Sequence, residues 1–366
     1  MSQKNLIRLI ICLLLIIWCH QPVWSAEWKK TCGDLLPVRQ YKKSGYINKE
    51  GRLIIPLIFE RAHNFSEGLA GVSKGKKCGY IDASGKIVIR PQFDGVGEFS
   101  EGLAVVYVAA KVEGDLITRI GYIDRSGRWI IQPQYESLEV DGWKSSFSEG
   151  LACVMLNEKM GFVDKMGRTV IPLQYENASP FSEGLAAVEI NSKYGYIDKT
   201  GKVVIPPQFE YGGSFSEGLA RVLLNKKAGF IDKNGRIAIP IQFESAGRFS
   251  EGLALAKSDD GKYGYIDKTG NFVIKSQFDD GGPFSEGLAP VTVKDKQALS
   301  LGYIDKKGQM VIKPRFRIRD MPDAGVRYYG FCGGIAPVDL NLEGDRSSDD
   351  GYINKKGEMI WPKVRP

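Results

Sequence analysis

A six-residue segment, Phe-Ser-Glu-Gly-Leu-Ala, recurs along this chain and constrains its fold more than any other feature. A second segment, Gly-aromatic-apolar-Asp/Asn, alternates with it in a fixed order, and four of the six gaps between complete copies of the first segment are 34 residues. The first segment begins at Phe65, Phe99, Phe147, Phe181, Phe215, Phe249 and Phe284, with a degenerate copy at Phe331. The second begins at Gly45, Gly79, Gly121, Gly161, Gly195, Gly229, Gly264, Gly302 and Gly351.

The repeating unit is predicted to consist of strands. In the unit that runs from Phe181 to Ser214, no eleven consecutive residues lack a Gly or Pro, so a stable helix has no room. Short apolar runs bounded by turn residues are typical of strands. We expect an all-β chain of about eight to nine antiparallel β-meander repeats of about 34 residues, each with three strands, or four if Gln208–Glu210 also pairs.

Glycine and aspartate are expected to set the bends. In Asp198-Lys199-Thr200-Gly201 the carboxylate can accept a backbone hydrogen bond two residues on, and the glycine can take the left-handed conformation. Asn replaces Asp at this place in the outermost units, which indicates a geometric role. Phe-Ser-Glu-Gly is predicted to be a second tight turn with its Phe inward. The Pro residues after the third strand of a unit, such as Pro206 and Pro207, cannot donate to a ladder and are predicted to mark a strand end or a sheet edge.

One such sheet is too small to bury a core alone, so the units must stack. The stack can wind as an open superhelix or solenoid, or close like a propeller. The spacing is irregular in the third unit and at the end, and closure favours near-identical blades, so we expect the open form.

These motifs resemble the bacterial WG-repeat family, also called KWG repeats, from about residue 42 to the C-terminus. The resemblance depends on residues 181–186, 193–198 and 201–210. It implies a β-sheet repeat scaffold thought to mediate interactions, with no catalytic site to transfer. The signature Trp before the Gly is absent, and the position holds, for example, Cys78, Tyr194 or Tyr263.

The N-terminus is typical of a signal peptide. Lys4 and Arg8 precede an apolar run at 9–18 that is short for a membrane span, and cleavage is expected near Ser25. An uncleaved anchor is the alternative. We therefore divide the chain into a signal peptide (1–25), an N-terminal lead-in (26–41) and a repeat domain (42–366), with an exported (periplasmic or extracellular) product that has no stable membrane span.

Four cysteines follow the cleavage point, and none has the spacing of a zinc site. Cys32 and Cys332 flank the repeats, so a disulfide between them would join the two ends of the array. Cys78 and Cys153 lie in strand-like positions and are expected to be small packed side chains.

The sequence offers little for catalysis. His63 is the one histidine after the signal peptide, and we interpret it as a surface-loop residue. Acidic residues recur once per unit, which favours a structural role over a catalytic pair. We expect no enzyme, no cofactor and no metal site. We also expect no nucleic-acid partner, since the net charge of the mature chain is only about +5 once Lys4 and Arg8 are removed.

The insertions are the places where the units differ. They lie near 108–118, 137–146, 294–300, 317–329 and 341–350, and the second carries Trp143, a candidate contact residue. The predicted function is an exported, non-catalytic scaffold that binds a protein or a cell-envelope polymer. The alternatives are a carbohydrate-active enzyme with an unrecognised carboxylate pair and a purely structural spacer.

Overall fold

The described residues fold into nine consecutive antiparallel units that make eight sheets, because the third and fourth units share one seven-stranded sheet. The computed structural model describes residues 33–112, 115–138, 145–294, 299–317, 330–339 and 350–362, and in these ranges the regular elements are strands with no α-helix. The all-β prediction is therefore confirmed.

The strands of units 1 to 4 are β1 (Leu35–Gln40), β2 (Lys43–Asn48), β3 (Leu53–Phe59), β4 (Arg61–Ser66), β5 (Leu69–Lys74), β6 (Lys77–Asp82), β7 (Ile87–Phe93), β8 (Gly95–Ser100), β9 (Leu103–Val112), β10 (Asp115–Asp124), β11 (Trp129–Glu136), β12 (Leu151–Leu156), β13 (Lys159–Asp164) and β14 (Thr169–Tyr175).

The strands of units 5 to 9 are β15 (Asn177–Ala178), β16 (Ala186–Ile190), β17 (Lys193–Ile197), β18 (Val203–Phe209), β19 (Tyr211–Gly212), β20 (Ala220–Leu224), β21 (Lys227–Ile231), β22 (Ile237–Phe243), β23 (Ser245–Ala246), β24 (Ala254–Lys257), β25 (Tyr263–Ile266), β26 (Phe272–Phe278), β27 (Asp280–Gly281), β28 (Leu288–Lys294), β29 (Leu299–Asp305), β30 (Met310–Arg317), β31 (Ile335–Asp339), β32 (Asp350–Asn354) and β33 (Met359–Trp361).

The units, numbered along the chain, are β1–β3, β4–β7, β8–β11, β12–β14, β15–β18, β19–β22, β23–β26, β27–β30 and β31–β33. A complete unit is a four-stranded meander such as β15-β16-β17-β18. The first strands of neighbouring units lie close together: the Asn64 Nδ2 of β4 donates to the Glu98 Oε1 of β8 at 3.1 Å. The fourth strand is the outer edge, where exposed and buried residues alternate. Pro206 and Pro207 lie inside β18 and not after it, because an edge strand tolerates a missing N–H.

The Gly of the Gly-aromatic motif lets the outer strand bulge over the third strand. In unit 5, Tyr194 pairs with Phe209 and Tyr196 pairs with Ile205, so the outer strand spends four residues where β17 spends two. A Cβ atom at Gly195 would lie 2.5 Å from the carbonyl oxygen of Ile205. Only glycine fits beneath this bulge, and the motif glycines of the first eight units all have backbone atoms this close.

The core lies between adjacent units. The motif Phe of each unit packs edge-on or tilted against the aromatic residue of the preceding unit, as in Tyr196–Phe215, with ring centroids 5.1 Å apart. Such pairs add about 0.5–1.5 kcal/mol to their burial. The Tyr196 hydroxyl also donates to the carbonyl of Gly213 in the next unit at 2.9 Å. Equivalent ring pairs occur at Tyr46–Phe65, Tyr80–Phe99, Tyr122–Phe147, Phe162–Phe181, Phe230–Phe249, Tyr265–Phe284 and Tyr303–Phe331.

The same contacts join the last unit to the first. The Tyr352 hydroxyl in β32 donates to the Pro37 carbonyl in β1 at 2.7 Å, as the Tyr80, Tyr196 and Tyr265 hydroxyls do to carbonyls of the following units. Gly51 of the first unit contacts Ile360 of the last, just as Gly201 contacts Ile171 of the unit before it. The array is therefore closed, and the prediction of an open form was wrong. Irregular spacing does not prevent closure, because the insertions lengthen the connections between strands and leave the strands that contact neighbouring units intact.

The first sheet also begins earlier than the repeat boundary placed at residue 42, because β1 lies within 26–41 and pairs with β2 along its whole length. The boundaries at residues 25 and 26 fall outside the described residues.

We predict that Gly195→Ala destabilises the fold by about 1–3 kcal/mol, because the new Cβ overlaps backbone atoms that cannot move without breaking the bulge. Urea unfolding measures the change. Gly213→Ala is the matched control, since its Cβ would find its nearest neighbour at 3.4 Å. Equal midpoints for the two variants would contradict the explanation.

Cys332 is disulfide-bonded, whereas Cys78 and Cys153 are free, so its partner lies outside the described residues. Cys32, the predicted partner, lies there too. We predict that peptide mapping without reduction recovers Cys32 and Cys332 in one linked peptide. Recovery of a Cys32 peptide that alkylates without reduction would rule this pairing out.

Candidate interaction surface

The recurring turn aspartate bonds to its own turn. Asp198 Oδ1 accepts from the N–H groups of Thr200 at 2.9 Å and Lys202 at 3.1 Å, and Gly201 has φ of 86°. The hydrogen bond from the Thr200 hydroxyl, followed by these backbone bonds, holds the pKa of Asp198 below its ordinary value. Asn48 accepts the same two backbone bonds in unit 1, so the predicted turn and its geometric role are confirmed.

The motif glutamate links neighbouring units. Glu183 has φ of 55° and Gly184 has φ of 89°, the combination of a type I′ turn. The Glu183 carboxylate accepts from the Gly218 N–H of the next unit at 3.1 Å and pairs with Lys233 at 3.1 Å. Equivalent ion pairs join Glu101–Lys165, Glu149–Lys199, Glu217–Lys268, Glu251–Lys306 and Glu286–Lys355.

A third recurring acid, at the end of the outer strand, went unnoticed in the sequence. Glu210 accepts from the N–H groups of Asn225 and Lys226, both at 3.1 Å, and so closes the hairpin between β20 and β21. The signal was available, because an Asp or Glu follows the aromatic end of the outer strand in units 1 to 7, at 60, 94, 136, 176, 210, 244 and 279.

All three series are therefore engaged by backbone N–H groups and lysines. Within the described ranges, no group of three or more His, Cys, Asp or Glu residues could hold a metal ion. Acidic residues that recur in each unit explain how the units fold and join, and they leave only non-repeating residues as candidates for function.

His63 does not lie in a surface loop. It belongs to the inner strand β4, where its carbonyl accepts from the Tyr46 hydroxyl at 2.8 Å. Burial, and to a lesser extent the charge of Arg61, lower the pKa of the imidazole below its ordinary value. The sequence interpretation failed because the degenerate inner strand lacks the apolar alternation that marks the others.

Non-repeating residues gather at one end of the ring. The Phe-Ser-Glu-Gly turns and the Asp-x-x-Gly turns lie at one end of the ring. The hairpins between the second and third strands lie at the opposite end, and we call this end the hairpin face. At the hairpin face, Asn177, Glu189 and Tyr194 form one row across unit 5, because Asn177 pairs with Glu189 and Glu189 pairs with Tyr194. The Asn177 amide donates to the Tyr194 hydroxyl at 3.0 Å.

This row continues into unit 6 as an aromatic and arginine stack. The rings of Tyr194 and Tyr211 lie 5.6 Å apart, and the Arg221 guanidinium lies 4.7 Å from the centroid of the Tyr211 ring. Arg221 also donates to the Ala246 carbonyl of unit 7 at 2.8 Å. All these side chains are half-buried, so each one packs against its neighbours and remains partly exposed to solvent.

Burial raises the pKa of Glu189 above its ordinary value, and nearby Glu176 raises it further, against the hydrogen bond from Tyr194. Glu176 itself accepts from the Ser192 N–H at 3.0 Å, so it belongs to the hairpin-closing series. We call the stack of Asn177, Glu189, Tyr194, Tyr211 and Arg221 the tyrosine cluster.

Trp143 lies outside the described residues, as do parts of every insertion that carried a functional expectation. Among the residues that the structure describes, none forms a helix long and apolar enough to cross a membrane.

A closed ring of radially arranged antiparallel sheets defines a β-propeller. The model of the WG-containing repeat matches residues 45–78, 79–111, 120–159, 160–194, 194–227, 229–263, 263–296 and 302–317. The chain therefore belongs to the WG-containing repeat family, as its motifs indicated.

Solved structures resemble the chain in fold. A crystal structure of the eukaryotic initiation factor aligns with a TM-score of 0.63 and 13% identity over 89% of this chain and 94% of that chain. PorZ, a bacterial surface component of the type-IX secretion system of Porphyromonas gingivalis, aligns with a TM-score of 0.34 and 11% identity over 89% of this chain and 46% of its own. No curated protein matches the chain in sequence.

The turn carboxylates predict how stability depends on pH. The pKa values of these carboxyl groups are lower in the folded protein than in the unfolded chain. Their contribution to the free energy of unfolding is therefore fully present above the pKa of the unfolded chain, about 4, and is lost as the pH falls through the pKa of the folded protein. We expect Asp198→Asn with Asp232→Asn to match the wild type at pH 7 and to lose less stability between pH 5 and pH 3.

Urea midpoints at each pH measure this difference, and Glu50→Gln, an exposed side chain that caps no turn, is the control. An identical acid loss in the double variant and the wild type would contradict the assigned role.

Proposed function

We propose that this protein is an exported, non-catalytic propeller scaffold that binds a protein or cell-envelope partner through its hairpin face. The proposal depends on the observation that recurring and non-repeating polar residues have different roles in the structure. The recurring acids are bound to backbone N–H groups, whereas the non-repeating tyrosines and arginine of the tyrosine cluster gather at one face.

The composition of that cluster supports a binding role. Tyr and Arg dominate the binding energy of protein interfaces, and a side chain that is already ordered loses little entropy on binding. Tyr211 packs against both the Tyr194 ring and the Arg221 guanidinium, so its side chain is already ordered by contacts before a partner binds.

The proposal that the scaffold is non-catalytic follows from the carboxylates. A glycosidase needs two carboxyl groups facing a substrate. The neighbours Glu176 and Glu189 are the nearest match at the hairpin face, but Glu176 closes its hairpin through the Ser192 N–H. Export remains part of the proposal and is supported by the basic and apolar N-terminal segment.

The test is recovery of a partner from envelope extract with the tagged mature protein. Tyr211→Ala with Arg221→Ala should weaken capture by about 30-fold or more, since interface anchors of this kind contribute about 2 kcal/mol or more. Val203→Ala with Ile237→Ala removes exposed side chains from the outer strands and should leave capture unchanged. Urea midpoints show whether each variant is folded.

Recovery of nothing above background at several salt concentrations would count against a binding scaffold. Equal capture by the wild type and the Tyr211 and Arg221 variant would remove the tyrosine cluster from the interface.

A further inference from the structure

Arg39 is a half-buried arginine without a partner. Its Nε is shielded from solvent and makes no hydrogen bond, and in the described part of the chain its guanidinium makes no ion pair. A guanidinium stays charged in proteins, and a shielded donor without an acceptor costs free energy. Such a group in a native protein calls for an explanation, such as an absent ion or ligand.

A second unsatisfied donor lies in the neighbouring unit. Ser73 holds the position in β5 that Arg39 holds in β1, and its Oγ is also buried without a partner. Arg61 in β4 pairs in register with Ser73, and β4 packs against β1. Arg61 is exposed and has no ion pair among the described residues. By register, Arg39, Ser73 and Arg61 therefore all lie on the hairpin face of units 1 and 2.

The comparison with units 5 and 6 shows how this junction differs from the tyrosine cluster. Arg39, Ser44 and Arg61 occupy the positions that Glu189, Tyr194 and Tyr211 hold in the tyrosine cluster. A small serine stands where the Tyr194 ring fills the other junction. The arginines at the first junction thus lack both the aromatic packing and the carboxylate present at the other.

The surrounding hairpins add positive charge. Lys42, Lys74 and Lys76 are exposed and have no ion pair among the residues described. The two nearby acids are already engaged: Glu60 pairs with Lys43 at 3.2 Å, and Asp94 pairs with Lys77 at 2.7 Å. Each of these acids also accepts a hairpin N–H, at 3.1 Å and 2.8 Å.

We propose that this basic patch, formed by Arg39 and Arg61 with Lys42, Lys74 and Lys76 around them, binds the phosphate groups of an anionic glycopolymer. The planar guanidinium matches phosphate oxygens in a bidentate arrangement, so the two arginines can each take a phosphate while the lysines contact its neighbours.

A phosphate polymer suits this basic patch better than an acidic protein does. Lysine is depleted at protein interfaces, whereas a row of unpaired basic groups suits a repeated anion. Tyr41, which is 82% exposed beside Lys42, offers a ring face to a sugar. The inference rests on the proposed use of the hairpin face for binding and names the chemistry of the partner.

The test uses the purified mature protein and linear polyphosphate, titrated calorimetrically at low and moderate salt. Wild type should bind, with affinity that falls as salt rises, and Arg39→Gln with Arg61→Gln should bind at least tenfold more weakly with a shallower salt dependence. Lys159→Gln with Lys193→Gln removes the same charge from exposed positions of the same face in units 4 and 5, and should bind like wild type.

Several results would overturn the proposal. They are no binding of polyphosphate by wild type, equal losses in the two double variants, and binding of poly-glutamate as tight as that of polyphosphate, which would assign an acidic protein instead. If polyphosphate fails while partner capture still depends on Tyr211 and Arg221, the scaffold proposal stands and only the basic patch is lost.

Discussion

The contact between one motif turn and the next is the constraint on which the rest of the structure depends. Glu183 adopts a left-handed backbone conformation that is unfavourable for a residue with a Cβ, and its carboxylate reaches the Gly218 N–H and Lys233 of the following unit. The Ser182 hydroxyl donates to the Phe215 carbonyl across the same junction at 2.8 Å. A unit of this size cannot bury its own core, so its turn is stabilised by its neighbour.

This constraint separates residues that build the ring from residues free to vary. The Phe, Ser, Glu and Gly of each motif turn serve the junction, and the Gly-aromatic pair serves the bulge and the core. The row at the hairpin face serves neither, and its chemistry differs from unit to unit. Arg39 and Ser44 in unit 1 occupy the positions of Glu189 and Tyr194 in unit 5. The same two positions of the scaffold therefore hold a cation and a small serine in one unit, and a carboxylate and a tyrosine in another.

Local features were predictable because their causes are local. The Asp198 turn follows from a carboxylate two residues before its donor, and the strands follow from short apolar runs between glycines. The prolines were only partly understood, since β18 continues through Pro206 and Pro207 as an edge strand. His63 was misplaced, because its strand is held by neighbouring units rather than by its own pattern.

The sequence by itself determined the repeat, the all-β class, the turns and the family, because each depends on residues within one unit of about 34. Only the tertiary structure decided that the ring closes, through Tyr352 and Pro37, and that the motif glutamate acts on the next unit. It also decided that Arg39 and Arg61 meet at one face. These outcomes depend on contacts between units, and a periodic sequence states the spacing of its units without stating the angle between them.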